Sequence, residues 1–324
     1  RLNRLSYSQT FVMSNKARDM KAAGIDVISL TLGEPDFDVP DNIKKAAFDA
    51  INENYSHYSP VPGFLELRKA IVNKLKRDNN LEYKPTQICV ANGAKQNIFN
   101  VLAALVNEGD EVILPAPYWV SYDEMVKING GVSVFIETNI DTEFKMTAEQ
   151  LEAAITPKTK AVLYSSPCNP SGSYYTREEL EKIANVMAKY PDVVIISDEI
   201  YEFINYDGEH VSIAEFPQVF NQTAVINGMS KAFAMTGWRI GYSACPQWLA
   251  DACDKLQGQV TSGANTVAQR ASIVGLETDP KDYYYMVESF EKRRNLVYEL
   301  LKEVPGFKVN LPKAAFYFFP DISY

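Results

Sequence analysis

Short β-branched runs alternate with longer amphipathic stretches through the middle of the chain. Runs at 88–91, 112–114, 132–136, 161–164, 193–196, 224–226 and 240–244 have the length and side-chain type of buried strands. Helix-periodic segments lie between them, the first at 96–106. Two such segments open with a capping box, Thr147-Ala148-Glu149-Gln150 and Thr176-Arg177-Glu178-Glu179, in which side chain and backbone N–H satisfy each other reciprocally. This alternation predicts a mostly parallel sheet with helices on both faces, an α/β large domain. After residue 245 the pattern turns helical and ends in a long helix over 283–303. Pro305-Gly306 closes it before strand-like runs at 307–309 and 316–319, which predicts a smaller α+β unit. The residues before Gly33-Glu34-Pro35-Asp36 have no strand partner of their own and are expected to pack on that C-terminal unit. With no repeat and no Gly/Ser-rich linker, the two parts are expected to be tightly joined.

Length and composition narrow the class. A chain of 324 residues suggests two domains or one large one, and 46% apolar with 23% charged residues is ordinary globular composition. Disordered, collagen-like and disulfide-scaffold classes are excluded. The net charge of −9 is a poor basis for gripping a phosphate backbone, so no nucleic-acid partner is expected. No apolar run is long enough for a membrane span and the N-terminus shows no signal segment, so neither membrane nor export is expected. Cys89, Cys168, Cys245 and Cys253 form no CxxC pair, and reduced thiols in a cytoplasmic setting are the simplest account. Cys168 reads as a small buried filler more readily than as a redox-sensitive thiol. Histidines occur only at 57 and 210, which removes an HExxH zinc site, any histidine-based metal centre and most catalytic triads. No GxGxxG or GxxxxGK[ST] is present. The chemistry must come from Lys, Asp, Tyr, Arg and Asn, or from a bound organic cofactor, and no metal is expected.

In open α/β sheets ligands bind at the carboxyl ends of the strands, so polar residues directly after apolar runs are the informative ones. Ala91 is followed by Asn92-Gly93-Ala94-Lys95-Gln96, a turn opening into a helix whose free N–H groups suit a phosphate. Ser165 is followed by a loop containing Cys168-Asn169-Pro170-Ser171-Gly172, Ile196 by Ser197-Asp198-Glu199-Ile200-Tyr201, and Ile226 by Asn227-Gly228-Met229-Ser230-Lys231, with Arg239 eight residues on. Singly, each has an ordinary reading: Asp198 or Asn169 as a cap, Lys231 or Arg239 as a solvated charge, Trp119 as core, Tyr58 as a turn aromatic. Their conjunction suits pyridoxal phosphate. A lysine of lowered pKa forms the Schiff base with the aldehyde, and nearby Arg239 is one source of that lowering. A carboxylate keeps the pyridine nitrogen protonated, a helix N-terminus with an arginine holds the phosphate, and an aromatic plate fixes the ring plane.

At this point the chain resembles the class I, fold-type I pyridoxal-phosphate aminotransferases, and specifically the bacterial aspartate and aspartate/prephenate enzymes. The motifs are Leu32-Gly33-Glu34-Pro35-Asp36-Phe37, Tyr58-Ser59-Pro60-Val61-Pro62-Gly63, Asn92-Gly93-Ala94-Lys95-Gln96, Pro117-Tyr118-Trp119-Val120-Ser121-Tyr122, Asn169-Pro170-Ser171-Gly172, Ser197-Asp198-Glu199-Ile200-Tyr201, and the run from Ser230-Lys231 to Trp238-Arg239-Ile240-Gly241. The resemblance implies a seven-stranded-type sheet. It also implies that Lys231 is the Schiff-base lysine and the base between substrate Cα and cofactor, with Asp198 facing the pyridinium. Tyr201 and Asn169 would contact the ring hydroxyl, and Trp119 would stack on the ring. Ala94, Lys95, Ser230 and Arg239 would hold the phosphate, joined by Tyr58 of a neighbouring subunit in a homodimer with the site at its interface. Gly33, Trp119 and Asn169 would also line the substrate. The family often carries a serine three residues before the lysine, where this chain has Gly228.

Two half-reactions through the pyridoxamine form would interconvert L-aspartate and 2-oxoglutarate with oxaloacetate and L-glutamate. In the resembling subgroup the positions of Lys95 and Thr10 recognise the distal carboxylate of acidic substrates; a solvent-facing helix-start lysine is the plainer reading of Lys95. Other expectations are aromatic, alanine, methionine or prephenate specificity, or an aminotransferase-like metabolite-sensing regulatory domain. With that resemblance the chain divides into a cofactor-binding domain over 34–285 and a small domain made of 1–33 with 286–324. A first residue of Arg1 in place of Met, and a last, Tyr324, in a strand-like run, suggest a chain clipped at both ends. The small domain's C-terminal part, with the family's arginine for the substrate α-carboxylate, would be missing.

Overall fold

The computed structural model describes residues 2–208 and 210–323; Arg1 and Tyr324 lie outside the described residues. Among these, seven strands make one sheet: β1 (Ile88–Ala91), β2 (Glu111–Ala116), β3 (Val132–Glu137), β4 (Thr159–Ser165), β5 (Val194–Asp198), β6 (Thr223–Gly228) and β7 (Gly241–Ala244). Each coincides with a predicted run to within two or three residues. The spatial order is β1-β7-β6-β5-β4-β2-β3, parallel throughout except that β7 runs antiparallel to both its neighbours. A buried strand reads as the same apolar run in either direction, so the reversal of β7 left no mark in the periodicity. It has a consequence for the site: the amino end of β7, where Arg239 stands, falls on the same sheet edge as the carboxyl ends of β1, β4, β5 and β6.

Alternate residues of each strand feed different cores, as a pleat of period two requires. Cys89, Val112, Leu114, Leu163 and Ile196 pack on one face against the helices Ala94–Leu105, Ser121–Ile128 and Gln247–Val260. Ile88, Val90, Val225 and Tyr242 point the other way, onto Asp41–Asn52, Leu65–Asn79 and Thr266–Glu277. Ile113, Val162 and Ile195 meet Ala148–Ala154 and Arg177–Met187. Covering both faces is what makes the strands near-continuous apolar runs. Both capping boxes form. Thr147 Oγ1 accepts from Gln150 N at 3.2 Å while Gln150 Oε1 accepts from Thr147 N at 2.9 Å. The Thr176–Glu179 pair repeats this at 3.3 and 2.8 Å. Each cap contributes about 1 kcal/mol to its helix.

The long helix is present at Tyr284–Lys302, but the strands expected at 307–309 and 316–319 are not. Only isolated bridges form, Lys308 with Asp321 and Asn205 with Ala314. The backbone here bonds to loops: Gly172 O accepts from Lys313 N and Ala314 N at 3.1 and 2.9 Å, and Ile204 O accepts from Ala315 N at 2.8 Å. The aromatic run that looks like a strand is spent on separate ring contacts, Phe316 on Phe290, Tyr317 on Tyr201 and Phe319 on Phe144. The polar and ring contacts of the residues before Gly33 run to the sheet unit and not to the C-terminal one, and contact with the long helix begins at Asp36. Arg4 pairs with Glu108, Ser6 N donates to Glu124, and Phe11 lies near Lys95, all on the sheet unit. Asp36 pairs with Arg293 and Phe37 packs on Phe290 of the long helix.

Candidate active site

The sheet edge is built from four chain turns. After β1, Gly93 takes φ +86°, a left-handed conformation, and a Cβ there would lie 2.3 Å from Arg239 Nη2. Only glycine lets the guanidinium sit so close. Arg239 donates to Thr236 O at 2.8 Å and Asn92 O at 3.2 Å, fixing it over the start of the helix Ala94–Leu105. The first two N–H groups of that helix, Ala94 and Lys95, have no hydrogen-bond partner among the described residues. Two free N–H groups at a helix N-terminus beside a guanidinium form an anion site of the kind a phosphate fills. Buried Ser230 stands next to Lys231 beyond β6. No serine hydroxyl belongs at Gly228: a Cβ there would meet Gly241 Cα and Ile240 O at 2.7 Å, because β6 and β7 touch at that point.

At the end of β5, Asp198 is 4% exposed. Its Oδ2 accepts from the Tyr122 hydroxyl at 2.6 Å and its Oδ1 from Ile200 N at 3.3 Å. Burial raises its pKa to about 6 against those hydrogen bonds, so this carboxylate is one that a cationic partner would strongly stabilise. Lys231 Nζ donates to Gly33 O at 2.6 Å and lies 5.6 Å from the Tyr201 ring centre. Its pKa falls to about 8, first through burial; Arg239 adds to the fall while Glu34 and Asp198 oppose it. Burial, more than the Arg239 charge expected from the sequence, makes the amine available. Roughly one amine in ten is then neutral at pH 7, against fewer than about one in a thousand for an ordinary lysine.

Asn169 is set by its own N–H donating to Ser165 Oγ at 3.3 Å. Its side-chain amide donates to Tyr201 Oη at 3.5 Å and Tyr317 Oη at 3.3 Å. Trp119 stands edge-on to Tyr122, ring centres 5.6 Å apart, and the Lys95 ammonium lies 4.6 Å above its ring and 5.8 Å from Phe11. Lys95 is therefore half-buried over aromatic faces, and its pKa falls through that burial and through Arg239. Thr10, half-buried, precedes Phe11 on the same helix, Gln9–Ala22. Gly33, Lys95, Asn169, Asp198, Tyr201, Ser230, Lys231 and Arg239 thus gather along one edge. Tyr58 does not join them within one chain: it is 95% exposed on a turn.

Sequence reasoning passed over two hydroxyls that touch these groups. Tyr122 was legible in retrospect, three residues beyond Trp119 on the same turn of chain. Tyr317 had no such signal. Behind the edge lies a buried network. Glu199 Oε1 accepts from Ser197 and Ser212 at 2.9 and 2.7 Å, and Oε2 meets His210 Nε2 at 3.0 Å. Glu202 pairs with Lys74 and accepts from Asn79 at 2.7 Å. The carboxylates of this His210 cluster already have partners within the protein.

Residues 25–324 match the family "Aminotransferase class I and II". The chain belongs to that family. It is 49% identical to an aspartate aminotransferase of Bacillus sp. (strain YM-2) over all of this chain and 83% of the relative. It is 48% identical to a probable aspartate/prephenate aminotransferase of Rhizobium leguminosarum bv. phaseoli, over 99% of this chain and 80% of the relative. Among solved structures, the aspartate aminotransferase from Rhizobium meliloti superposes with a TM-score of 0.96 at 42% identity, covering 99% of this chain and 81% of that one. The fold is accordingly fold-type I, and the cofactor of this aminotransferase is pyridoxal phosphate. The residues present fit that group: an anion site with unpaired N–H donors, a buried carboxylate that favours a cation, and a half-buried lysine of lowered pKa.

Proposed function

We propose that this aminotransferase exchanges the amino group of L-aspartate with 2-oxoglutarate, giving oxaloacetate and L-glutamate. The observation that carries the acidic specificity is the Lys95 ammonium, half-buried over Trp119 and near Arg239 and not extended into solvent. A fixed cation there offers a distal carboxylate a partner that apolar donors cannot use. Bound pyridoxal phosphate supplies an electron sink for the charge left at the substrate's Cα. The chain's own residues do the rest. Ala94, Lys95, Ser230 and Arg239 would hold the cofactor's phosphate and Asp198 would keep a proton on its ring nitrogen, while Tyr122 fixes the Asp198 carboxylate. Tyr201 and Asn169 would contact the ring hydroxyl, Trp119 would stack on the ring, and Gly33 would lie against the substrate. Lys231 Nζ takes the proton from Cα, a task suited to an amine whose pKa lies near 8.

The same reading places the site between two copies of the chain, with Tyr58 reaching across to its partner's phosphate site. Ile28, Leu30 and Tyr58, at 89, 93 and 95% exposure, supply apolar surface for such a contact. Residues 34–285 then form the cofactor-binding domain, and 1–33 with 286–324 the small one. Among the described residues no helix is long and apolar enough to cross a membrane, and all four cysteines are free thiols. Both support work in the cytoplasm. Relatives named for prephenate favour that oxo acid as a second amino acceptor.

Comparing amino donors tests the specificity. Aspartate and glutamate should be used in preference to phenylalanine, alanine and methionine. Lys95→Ala should lower kcat/KM for aspartate by about 10- to 100-fold, the loss of one charge-assisted contact, while changing phenylalanine little. Equal loss for both donors would remove Lys95 from specificity, and no transfer from aspartate would defeat the proposal.

A further inference from the structure

Tyr201 is asked to donate a hydrogen bond to the ring hydroxyl, yet its own hydroxyl lies 2.5 Å from that of Tyr317. Each phenol has one proton, so one must donate and the other accept. If Tyr201 donated to Tyr317, its proton would be lost to the site. Two features favour the opposite order, the Asn169 contact and the rigidity of the segment. Asn169 donates to Tyr317 Oη at 3.3 Å, nearer than the 3.5 Å to Tyr201, and a hydroxyl that accepts a hydrogen bond is a stronger donor in turn. Burial raises the pKa of both phenols, so both protons stay in place and acidity does not set the order. The hydroxyl is also held rigidly. Lys313, Ala314 and Ala315 N–H groups bond to Gly172 and Ile204, Tyr206 N–H donates to Lys313 O at 3.0 Å, and the Tyr206 hydroxyl donates to Ala315 O. On its far side a Cβ on Gly33 would stand 2.2 Å from Tyr317 Oη, so residue 33 has to be glycine for the phenol to reach Tyr201.

We propose that Tyr317 is a positioning residue: its hydroxyl donates to Tyr201 Oη, turning the Tyr201 proton toward the ring oxygen and strengthening that donation. The proposal rests on the reading of Tyr201 given above. No bond is made or broken; Tyr317 acts only through Tyr201. A ring oxygen less well stabilised by Tyr201 is more basic and holds the neighbouring imine proton more tightly. The visible absorbance of the cofactor-loaded enzyme then titrates at higher pH.

The test is that titration, followed from pH 5 to 10 without substrate, for the wild type, Tyr317→Phe, Tyr201→Phe and the double variant. Tyr317→Phe keeps the ring packing and should raise the midpoint by about half a pH unit to one unit, the worth of one hydrogen bond. Tyr201→Phe should raise it further, and Tyr317→Phe should add nothing in that background. A midpoint that moves in Tyr201→Phe but not in Tyr317→Phe overturns the proposal alone, as does a Tyr317 shift that adds in full to the Tyr201 shift. A midpoint unmoved even by Tyr201→Phe overturns the reading of Tyr201 and, with it, this inference.

Discussion

The sheet edge and the segment after residue 303 both supply side chains to one site, but they are built on opposite plans. The edge places Asp198 at the end of a strand, and Ala94, Asn169 and Lys231 within four residues of one, where the strands' own residues are nearly all buried, so position follows from strand end. The segment over 312–317 has no ladder. It is fastened at Gly172, Ile204 and Tyr206, and it presents Tyr317 through rings and loop hydrogen bonds. Ionisable groups on the edge are therefore strained against the fold, since Asp198 is buried and Lys231 largely desolvated, and the pKa values of both are displaced. Groups on the segment hold part of the structure together.

That difference predicts opposite outcomes of substitution. If Lys231 is the base and covalent attachment point, as proposed, Lys231→Ala should lower transamination by about 10⁴-fold or more, while thermal stability without cofactor stays level or rises because a largely desolvated amine is gone. A melting temperature that drops sharply would show that Lys231 supports the fold. Gly172→Ala strikes the other region. Gly172 has φ +70°, and a Cβ would meet Pro312 Cβ at 2.7 Å and the Ala314 and Tyr317 carbonyls at 3.0 Å. Stability should fall by about 1–3 kcal/mol in urea unfolding and the KM for aspartate should rise, with kcat retained to within about tenfold. Unchanged stability would mean the segment is not anchored there.

The smallest effect belongs to the network behind the edge. Burial disfavours the His210 imidazolium, but its bond to Glu199 and the charge of Glu202 raise its pKa overall. A folded pKa raised above the unfolded value stabilises the protein fully below about pH 6.5 and loses that contribution as pH rises through the folded value. The wild type should lose unfolding free energy through this group as pH rises above about 6.5, and His210→Gln should flatten the profile. The same slope in both proteins would place the pH dependence elsewhere.

How far the sequence reading reached follows the same division. Every strand of the sheet was visible as an apolar run, and every strand-end residue singled out for the site lies at the edge. The direction of β7 was not visible, because a strand buried on both faces has the same composition either way; yet that direction is what brings Arg239 beside Gly93. Residues 316–319 were misread as a strand because aromatic residues favour sheets, whereas here each ring packs on a different neighbour. Tyr122 and Tyr317 were missed for a related reason. A hydroxyl that acts by touching Asp198 or Tyr201 is specified by the fold, and no local pattern announces it. Tyr58 followed from the motif alone, and within one chain it stands exposed away from the edge.

The central claim, that this edge is an aspartate transaminase site, is tested most directly by one half-reaction. L-aspartate is added without an oxo acid to the cofactor-loaded protein, and absorbance and oxaloacetate are followed together. The account predicts that the cofactor spectrum converts from its aldehyde to its amine form, with oxaloacetate released in an amount equal to the sites converted, and that Lys231→Ala shows no such turnover. An unchanged spectrum, or conversion without equimolar oxaloacetate, would contradict it.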